Sequence, residues 1–496
     1  MPRGSTAPHA QPAEPTDSRR RRLLVLTVCC LSLFLVCLDT TAVNIALPAL
    51  RHALHAPAAG LQWTVDAYTL VLAVLLIPAG SVADRLGRRR VFRVGLLVFV
   101  LGSLLCSLAP GLGWLIGFRA LQAVGGSMLN PVAMSIITNT FTDPRERAQA
   151  IGAWGGVVGL AMALGPLIGG FLVSAAGWQW IFLVNVPVGL AVFALTFRHV
   201  PESRAPRPRR LDPVGQLLLV LLLGGGTAAI IEGPGQGWHS PVVLLLAALA
   251  LAALLAFPRW ERRTAEPLID PRFFASVPFT GAVAAAISAC AALGGFLFLS
   301  TVYLQEVRHL GPVQAGLHTL PMAALMFVGG PVSGWTVGRY GPRPPLLVAG
   351  AAICASGLLL VRLSPATPTP QLLLAYALFG LGFGVVNAPI TNSAVAGMPS
   401  SRAGVAAGVA STSRQVGQSL GVAVIGSVVS AAVSSAAGTD FTAASHTGWW
   451  IVTGLGAAVL LLALATTTPW AARTAHRVAA RLDPAPVREA PAERLP

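Results

Sequence analysis

Gly80-Ser-Val-Ala-Asp-Arg-Leu-Gly-Arg-Arg-Arg90 is a short, strongly basic stretch between two long apolar runs. A basic turn in such a position is typical of a loop at a membrane face. Gly80 is expected where two helices approach closely, and Gly87 is expected to supply a turn that a residue with Cβ would resist. The stretch can be a plain positively charged loop. Its ordered pattern of glycine, aspartate and arginine is nevertheless much rarer than a run of charge.

The composition indicates a protein whose main solvent is the lipid bilayer. Hydrophobic residues make up 54% of the chain and charged residues only 10%, and the mean hydropathy is +0.71. These values are typical of an all-α polytopic membrane protein. Apolar runs of about 20 residues, each long enough to cross about 30 Å of hydrocarbon, recur from Leu23 to Ala465. We count 14 such predicted spans.

The basic residues predict the orientation of the chain. All 34 are arginine, and alternating spans with a cytoplasmic N-terminus place 29 of them inside the cell, 3 outside and 2 within the membrane. This asymmetry follows the positive-inside rule, so both termini are expected in the cytoplasm. The net charge of +16 therefore requires no nucleic-acid partner. The lack of lysine argues against a nucleotide-driven pump, a retinal protein and a pyridoxal enzyme.

The pattern G-x-x-x-D-R-x-G-R-R-R in the stretch quoted above resembles the loop between helices 2 and 3 of the major facilitator superfamily. The resemblance implies a latch that holds the two halves of the protein together in one conformation. The latch residues are Gly80, Asp84, Arg85, Gly87 and Arg88.

Three further stretches, residues 38–48, 62–68 and 411–417, resemble the 14-helix drug:proton antiporter branch of that superfamily. The segment Arg119 to Gly126 is also similar to the superfamily motif R-x-x-Q-G-x-G, with Ala123 in place of its first glycine. The resemblance implies a major facilitator fold, in which two helical bundles rock about a central site.

An internal repeat predicts how the 14 spans are arranged. Gly334, Arg339, Gly341 and Arg343 match Gly80, Arg85, Gly87 and Arg89 at a constant offset of 254 residues, with Gly338 in place of Asp84. This offset leaves room for eight spans, so the predicted order is 6 + 2 + 6.

The predicted organisation has seven parts. They are a disordered cytoplasmic N-terminus (1–22), an N-terminal six-helix bundle (23–198), a cytoplasmic linker (199–212), two extra helices (213–258), a second linker (259–277), a C-terminal six-helix bundle (278–469) and a disordered cytoplasmic tail (470–496).

Ionisable residues within predicted spans are functional candidates, because charge inside hydrocarbon is costly. Counted at 1.5 Å per residue, Asp39 and Arg119 lie at similar depths, roughly 13 and 10 Å from the outer ends of spans 1 and 4. We hypothesise that Asp39 exchanges protons or contacts substrate, and that the nearby charge of Arg119 tunes the pKa of Asp39. A static structural ion pair is the alternative.

Two other ionisable residues have two interpretations each. Asp66 lies about five residues inside span 2, so it is either a proton-coupling residue or a wet residue at the rim. Arg414 lies roughly 15 Å inside span 13 beside small polar residues. It can contact substrate, or its charge can be satisfied by neighbouring hydroxyls and carbonyls.

Span 5 carries the pattern G-x5-G-P-x-x-G-G, formed by Gly159, Gly165, Pro166, Gly169 and Gly170. Spaced small residues alone are common wherever membrane helices pack closely. The whole pattern, however, resembles a motif characteristic of exporters in the superfamily, and this implies efflux.

The expected function is proton-coupled efflux of a small amphipathic drug or antibiotic across a bacterial plasma membrane, conferring resistance. The protein is expected to be a monomer, to use no metal or cofactor, and not to be an enzyme. An uptake permease for a sugar or organic ion is the alternative. The scarcity of acids after residue 272 favours a neutral or weakly charged substrate.

Overall fold

A computed structural model describes residues 19–141, 143–204, 212–264, 266–396, 398, 400–435 and 441–482, and this described part contains helices and loops but no β-strand. The helices are α1 (Arg19–Leu54), α2 (Ala58–Leu86), α3 (Arg88–Ser107), α4 (Leu112–Thr140), α5 (Pro144–Ala176), α6 (Trp180–Leu183), α7 (Asn185–His199), α8 (Pro213–Gln236), α9 (Pro241–Glu261), α10 (Val277–Val302), α11 (Pro312–His318), α12 (Leu320–Tyr340), α13 (Arg343–Leu360), α14 (Thr369–Val395), α15 (Ser400–Ser435), α16 (Phe441–Thr466) and α17 (Pro469–Leu482). A 3₁₀ turn, Pro271–Ala275, precedes α10, and a π turn, Tyr303–Val307, continues it.

The helices form two bundles and a separate pair, as the repeat in the sequence predicted. Within the described residues, 13 helical segments are long and apolar enough to cross a membrane. The 36-residue helix α15 is not among these segments, but it is long enough to cross and packs along the spans α10 and α2. Helices α1–α7 pack together as the N-bundle, α10–α16 pack together as the C-bundle, and α8 and α9 pack on each other. The predicted 6 + 2 + 6 arrangement is therefore confirmed.

Close backbone approaches at glycines hold each bundle together. A Cβ atom at Gly125 of α4 would lie 2.3 Å from the Phe99 nitrogen of α3, and one at Gly421 of α15 would lie 2.1 Å from the Ala291 oxygen of α10. Apolar surface between helices gains little from burial inside a bilayer, so such contacts must come from tight van der Waals packing.

The predicted repeat is visible in the backbone. Gly87 ends α2 with φ of 107°, and Gly341 ends α12 with φ of 80°. An amide N–H closes the last turn in both places, from Gly87 to the Ala83 oxygen and from Gly341 to the Val337 oxygen. Positive φ favours glycine, so these two residues are needed for the turns.

The structure corrects the predicted disorder at both ends of the chain. Residues 19–22, predicted as part of a disordered N-terminus, begin α1, and residues 470–482, predicted as a disordered tail, lie in α17. Helix α17 forms because Ala471, Ala475 and Val478 share one face and are buried. The remaining predicted disordered residues, 1–18 and 483–496, lie outside the described residues.

The two bundles touch most closely at one end of the molecule. We call the end at which α1 begins and α16 ends the terminal side, and the other end the opposite side. On the opposite side, Arg51 of α1 forms a 2.8 Å ion pair with Glu306. The neighbouring Gln305 donates a 2.8 Å hydrogen bond to the Ile45 oxygen. These contacts join the end of α1 to the π turn after α10.

Helix α5 packs against both bundles through the glycines of the predicted exporter motif. Gly165 and Gly169 face α1, where added Cβ atoms would meet Thr41 and Ala42 at 1.8 and 3.0 Å. A second face meets the C-bundle. A Cβ at Gly159 would lie 3.1 Å from Phe327 Cα, and one at Gly170 would lie 2.5 Å from the Pro312 oxygen.

The same contact is built from the C-bundle side as well. A Cβ at Gly316 of α11 would lie 2.6 Å from the Pro166 oxygen of α5. We call this contact, Gly170 with Pro312 and Gly316 with Pro166, the α5 joint. The backbones of α5 and α11 touch there without intervening side chains.

The packing between the bundles loosens toward the terminal side, where the apolar core divides. Opposite-side residues of the N-bundle, such as Leu47 and Leu61, belong to one cluster with the C-bundle. Its terminal-side residues form a separate cluster. The bundles are thus closed against each other on the opposite side.

We expect Gly170→Val to open the opposite side, because its side chain would collide with the Pro312 carbonyl. The reporter is Ser427→Cys, at a position only 3% exposed, in a chain whose six native cysteines are replaced by alanine. Gly170→Val should label several-fold faster with a polar thiol reagent in nanodiscs. Gly156→Val, on the same helix but facing open space, should label at the reference rate. Equal rates for all three proteins would contradict this description of the interface.

Candidate functional site

A buried ion pair lies at the centre of the N-bundle. Asp39 of α1 and Arg119 of α4 are each only 1% exposed. One terminal nitrogen of Arg119 donates a 2.5 Å hydrogen bond to Asp39 Oδ2 and a 2.7 Å bond to Gln122 Oε1. The prediction that Asp39 and Arg119 lie at the same depth is consistent with this contact.

Two neutral amides complete the surroundings of the Asp39 carboxylate. Gln122 Nε2 donates to Asp39 Oδ1 at 2.9 Å, and Asn185 Nδ2 donates to the same oxygen at 3.0 Å. Gln122 also donates a 2.7 Å bond to the Ser103 hydroxyl. Helices α1, α4 and α7 therefore meet at this carboxylate, and Gln122 links it to Ser103 of α3. With the Arg119 bond it accepts three charge-stabilising hydrogen bonds.

Aromatic rings and a carbonyl hold the other side of the Arg119 guanidinium. Its central carbon lies 4.2 Å from the centre of the Tyr68 ring and 5.6 Å from that of Phe182. Its Nε donates a 3.2 Å hydrogen bond to the Thr64 oxygen of α2. A cation at this distance from a ring face is attracted to the ring, and more strongly where water is excluded. The side chain is therefore fixed on all sides.

The sequence analysis missed Gln122, Asn185 and Ser103 as members of this site. Gln122 stands in the Arg119 motif, and its spacing of three residues places both side chains on one helix face. Asn185 lies where the short helix α6 gives way to α7, so a break in the apolar pattern was its signal. Nothing in the sequence around Ser103 distinguishes it from other serines in spans.

Asp66 is not a wet rim residue. It is 0% exposed, because α2 packs along α15 of the C-bundle and covers it. Its Oδ1 accepts a long 3.4 Å bond from the Thr69 hydroxyl. The Ser419 hydroxyl of α15 faces the same carboxyl group. Asp66 Oδ2 and Ser419 Oγ have no partner within hydrogen-bond distance among the described residues.

Arg414 of α15 is partly exposed on the terminal-side half of the C-bundle. It donates a 2.7 Å hydrogen bond to Ser411 and makes a 3.5 Å contact with the exposed Thr391 of α14. None of the ion pairs between described residues includes it. Both of these partners are neutral hydroxyls. The first of its two predicted interpretations, substrate contact, thus stays open beside the second.

The predicted latch loop is attached to the N-bundle in this structure. Asp84 Oδ1 accepts bonds of 3.1 and 2.9 Å from the Arg88 side chain, four residues along the chain. The backbone N–H of Arg88 donates to the Ser203 oxygen at 2.9 Å. Arg85 is exposed in the last turn of α2. A latch between the two halves stays a prediction.

The two glycines of that loop differ. A Cβ at Gly87 would lie 2.7 Å from the Glu202 carboxylate, so the loop leaves no room there. At Gly80 the nearest atom, Pro131 Cβ, is 3.8 Å away, which is ordinary van der Waals distance. The expectation that Gly80 marks a close helix approach is wrong in this conformation, since α2 and α4 have space for a side chain.

Two six-helix bundles that are closed against each other on one side only, one of them with an ion pair buried at its centre, are the architecture of a membrane transporter for small molecules. The family comparison agrees with this class, because the Major Facilitator Superfamily matches residues 29–422. The chain belongs to the Major Facilitator Superfamily.

Similar proteins of known name support this assignment. The multidrug resistance protein Stp of Mycobacterium tuberculosis is 36% identical over 82% of this chain and 76% of its own length. The tetracenomycin C resistance and export protein of Streptomyces glaucescens is 38% identical over 85% of this chain and 79% of its own. A bacterial homologue of the lysosomal transporter Spinster shares the fold, with a TM-score of 0.58 and 19% identity over 93% of this chain and 98% of its own.

We expect Asp39→Asn to destabilise the protein strongly, because it leaves the buried Arg119 charge without a counter-charge. Breaking a buried pair in this way costs about 3–5 kcal/mol. The double variant Asp39→Asn, Arg119→Gln removes both charges and should recover much of this loss. Thermal unfolding of the purified proteins measures the effect.

The control for these stability measurements is Glu306→Gln. It removes the 25% exposed partner of Arg51, and an exposed pair contributes only about 0–1 kcal/mol. An Asp39→Asn protein as stable as the wild type would contradict the description of the ion pair.

Proposed function

We propose that this transporter exports a small amphipathic drug or antibiotic from the bacterial cytoplasm in exchange for protons, and so confers resistance. The observation that carries the proposal is a carboxyl group, Asp66, buried where the two bundles touch. The named relatives support efflux. They include the multidrug resistance protein and the tetracenomycin C exporter described above, and the puromycin resistance protein pur8 of Streptomyces alboniger, 39% identical over 82% of this chain.

The orientation follows from the arginines. Helices α1, α3 and α17 carry many of them on the terminal side, whereas Arg51 is one of few on the opposite side. Basic residues favour the cytoplasmic face. We therefore assign the terminal side to the cytoplasm of a bacterial plasma membrane. The closed opposite side then faces outward, and the site is reached from inside the cell.

Asp66 is suited to link protonation to the movement of the bundles. An ionised carboxylate without a counter-ion is very costly in a buried apolar site. A protonated Asp66 avoids this cost and can donate a hydrogen bond to the unpartnered Ser419 across the bundle interface. Loss of the proton would favour separation of α2 from α15, because water could then solvate the charge. Protonation would thus stabilise the outward-closed state.

Asp39 and Arg119 have a related role in this proposal. The carboxylate already accepts three hydrogen bonds, so the pair is stable as it stands. A proton that reached Asp39 would neutralise the charge that attracts Arg119, and a substrate group would compete for the same carboxylate; either would weaken the α1–α4 contact. The alternative of a fixed structural pair predicts normal coupling in a neutral double variant.

The substrate is expected to be neutral or weakly charged. Arg414 is the partly exposed charge of the C-bundle near Thr391 and Ser411, and its described contacts are neutral. A permanently dicationic compound would be repelled there, whereas acceptor-rich groups of a substrate can bond to the guanidinium. Neither step requires a metal or cofactor, and one chain contains both bundles, so we propose a monomer.

The proton gradient supplies enough free energy for this exchange. One charge that crosses about 100 mV contributes about 2.3 kcal/mol, which supports roughly a fifty-fold concentration gradient. An uptake permease could use the same gradient in the opposite direction. The glycine-rich α5 joint, which resembles an exporter motif, favours efflux.

Drug accumulation in a pump-deficient bacterium tests the proposal. Cells that express the wild-type chain should accumulate less puromycin than cells with empty vector, and a protonophore should abolish the difference. Asp66→Asn should abolish it as well, because the residue can no longer release a proton. Glu266→Gln, which removes an exposed acid in the loop after α9 and away from the bundle interface, should transport normally.

A protonophore-insensitive difference would contradict proton coupling. Higher accumulation than in the vector control would favour uptake. Because puromycin is only one candidate, tetracenomycin C is tested in parallel, and equal accumulation of both with and without the protein would contradict the proposed substrate class.

A further inference from the structure

Helix α17 lies across the terminal-side end of the C-bundle. Thr466, at the end of α16, packs on Gly281 of α10. The hydroxyl of Thr474, in the middle of α17, accepts a 2.9 Å hydrogen bond from the backbone N–H of Val277 at the start of α10. Helix α17 also contacts the Pro271–Ala275 turn. It therefore leaves the line of α16 and crosses the end of α10, which places it at the level of the membrane surface.

The two faces of α17 differ completely in character. Ala471, Ala475 and Val478 are buried against the bundle. The exposed face carries Arg473, Arg477 and Arg481, and none of the three is among the ion pairs of described residues. Their spacing of four residues places these arginines in one stripe along the helix.

A tryptophan marks the depth of this helix. Trp470, in its first turn, is 55% exposed. Tryptophan side chains favour the interface between hydrocarbon and headgroups. Trp470 therefore places the start of α17 at the level of the headgroups, which the basic stripe along the same helix can reach.

We propose that the Arg473–Arg477–Arg481 stripe of α17 binds the headgroups of anionic phospholipids in the leaflet on the terminal side. The charge is complementary, since the headgroups carry phosphate groups that guanidinium binds with two parallel hydrogen bonds. The bundle itself buries the apolar face of α17, so the helix is held in place without the lipid, and only its charged face requires a partner.

This site would act on the transporter through α10. Helix α10 donates the hydrogen bond to Thr474 at its start and continues at its other end into the π turn that carries Gln305 and Glu306. Those two residues join the bundles on the opposite side. Lipid bound at α17 therefore fixes the end of a helix that runs from the membrane surface to the closed side of the molecule.

Native mass spectrometry of the delipidated full-length protein tests the proposal, with phosphatidylglycerol or phosphatidylcholine added. The wild type should retain phosphatidylglycerol preferentially. The triple variant Arg473→Gln, Arg477→Gln, Arg481→Gln should bind it on the order of a hundredfold more weakly, since each arginine near a charged surface contributes roughly fivefold. Replacing the same three residues by lysine keeps the charge and should keep most of the preference.

The control is Ala472→Gln, Ala480→Gln, which alters the exposed face of α17 without changing its charge and should bind as the wild type does. Each variant is first checked for an unchanged thermal unfolding midpoint, because the substituted side chains are exposed. Unchanged phosphatidylglycerol binding by the glutamine triple would overturn the proposal. Equal binding of glycerol 3-phosphate would also overturn it, because the site would then bind free phosphate and not lipid.

Discussion

The cost of placing charge inside hydrocarbon is the constraint on which this structure depends. The N-bundle meets it at Asp39 and Arg119 by surrounding one ion pair with two amides, a carbonyl and two aromatic rings. Four helices must hold their positions for these bonds to form. Asp66 is a different case, since its carboxyl group is equally buried and has no counter-charge within 4 Å among the described residues. That contrast separates a group that stabilises a bundle from one that can respond to a proton.

The contact between the bundles depends on backbone and not on side chains. At the α5 joint, Gly170 meets the Pro312 carbonyl and Gly316 meets the Pro166 carbonyl. Tightly packed surfaces of this kind tolerate little gradual deformation, so a joint of this type is either closed or open. The polar contacts of Gln305 and Glu306 add to the closed arrangement. We propose that protonation of Asp66 shifts the balance between these two arrangements of the bundles.

Features that depend on the properties of a single residue type could be predicted from the sequence. Features that depend on which helices pack together could not. Gly87 was predicted as a turn because positive φ excludes most other residues, and the repeat matched Gly341 to it. The predicted similar depths of Asp39 and Arg119 are consistent with their contact. Both interpretations of Asp66 stayed open in the sequence, because its distance from a helix end does not show that α15 covers it. Helix α17 was missed since its alanine and arginine content resembles that of a disordered tail. Gln122 and Asn185 could not be singled out, because neutral amides in spans become significant only when the fold brings them to one carboxylate.

The central claim is that protonation of Asp66 holds the bundles together on the opposite side. Distances between spin labels test it in nanodiscs, with one pair at His52 and His309 on that side and another at Arg90 and Tyr340 on the terminal side, all exposed positions. Raising the pH should lengthen the first distance and shorten the second in the wild type, whereas Asp66→Asn should keep the first distance short at every pH. Distances that do not change with pH in the wild type, or that change equally in Asp66→Asn, would contradict the claim.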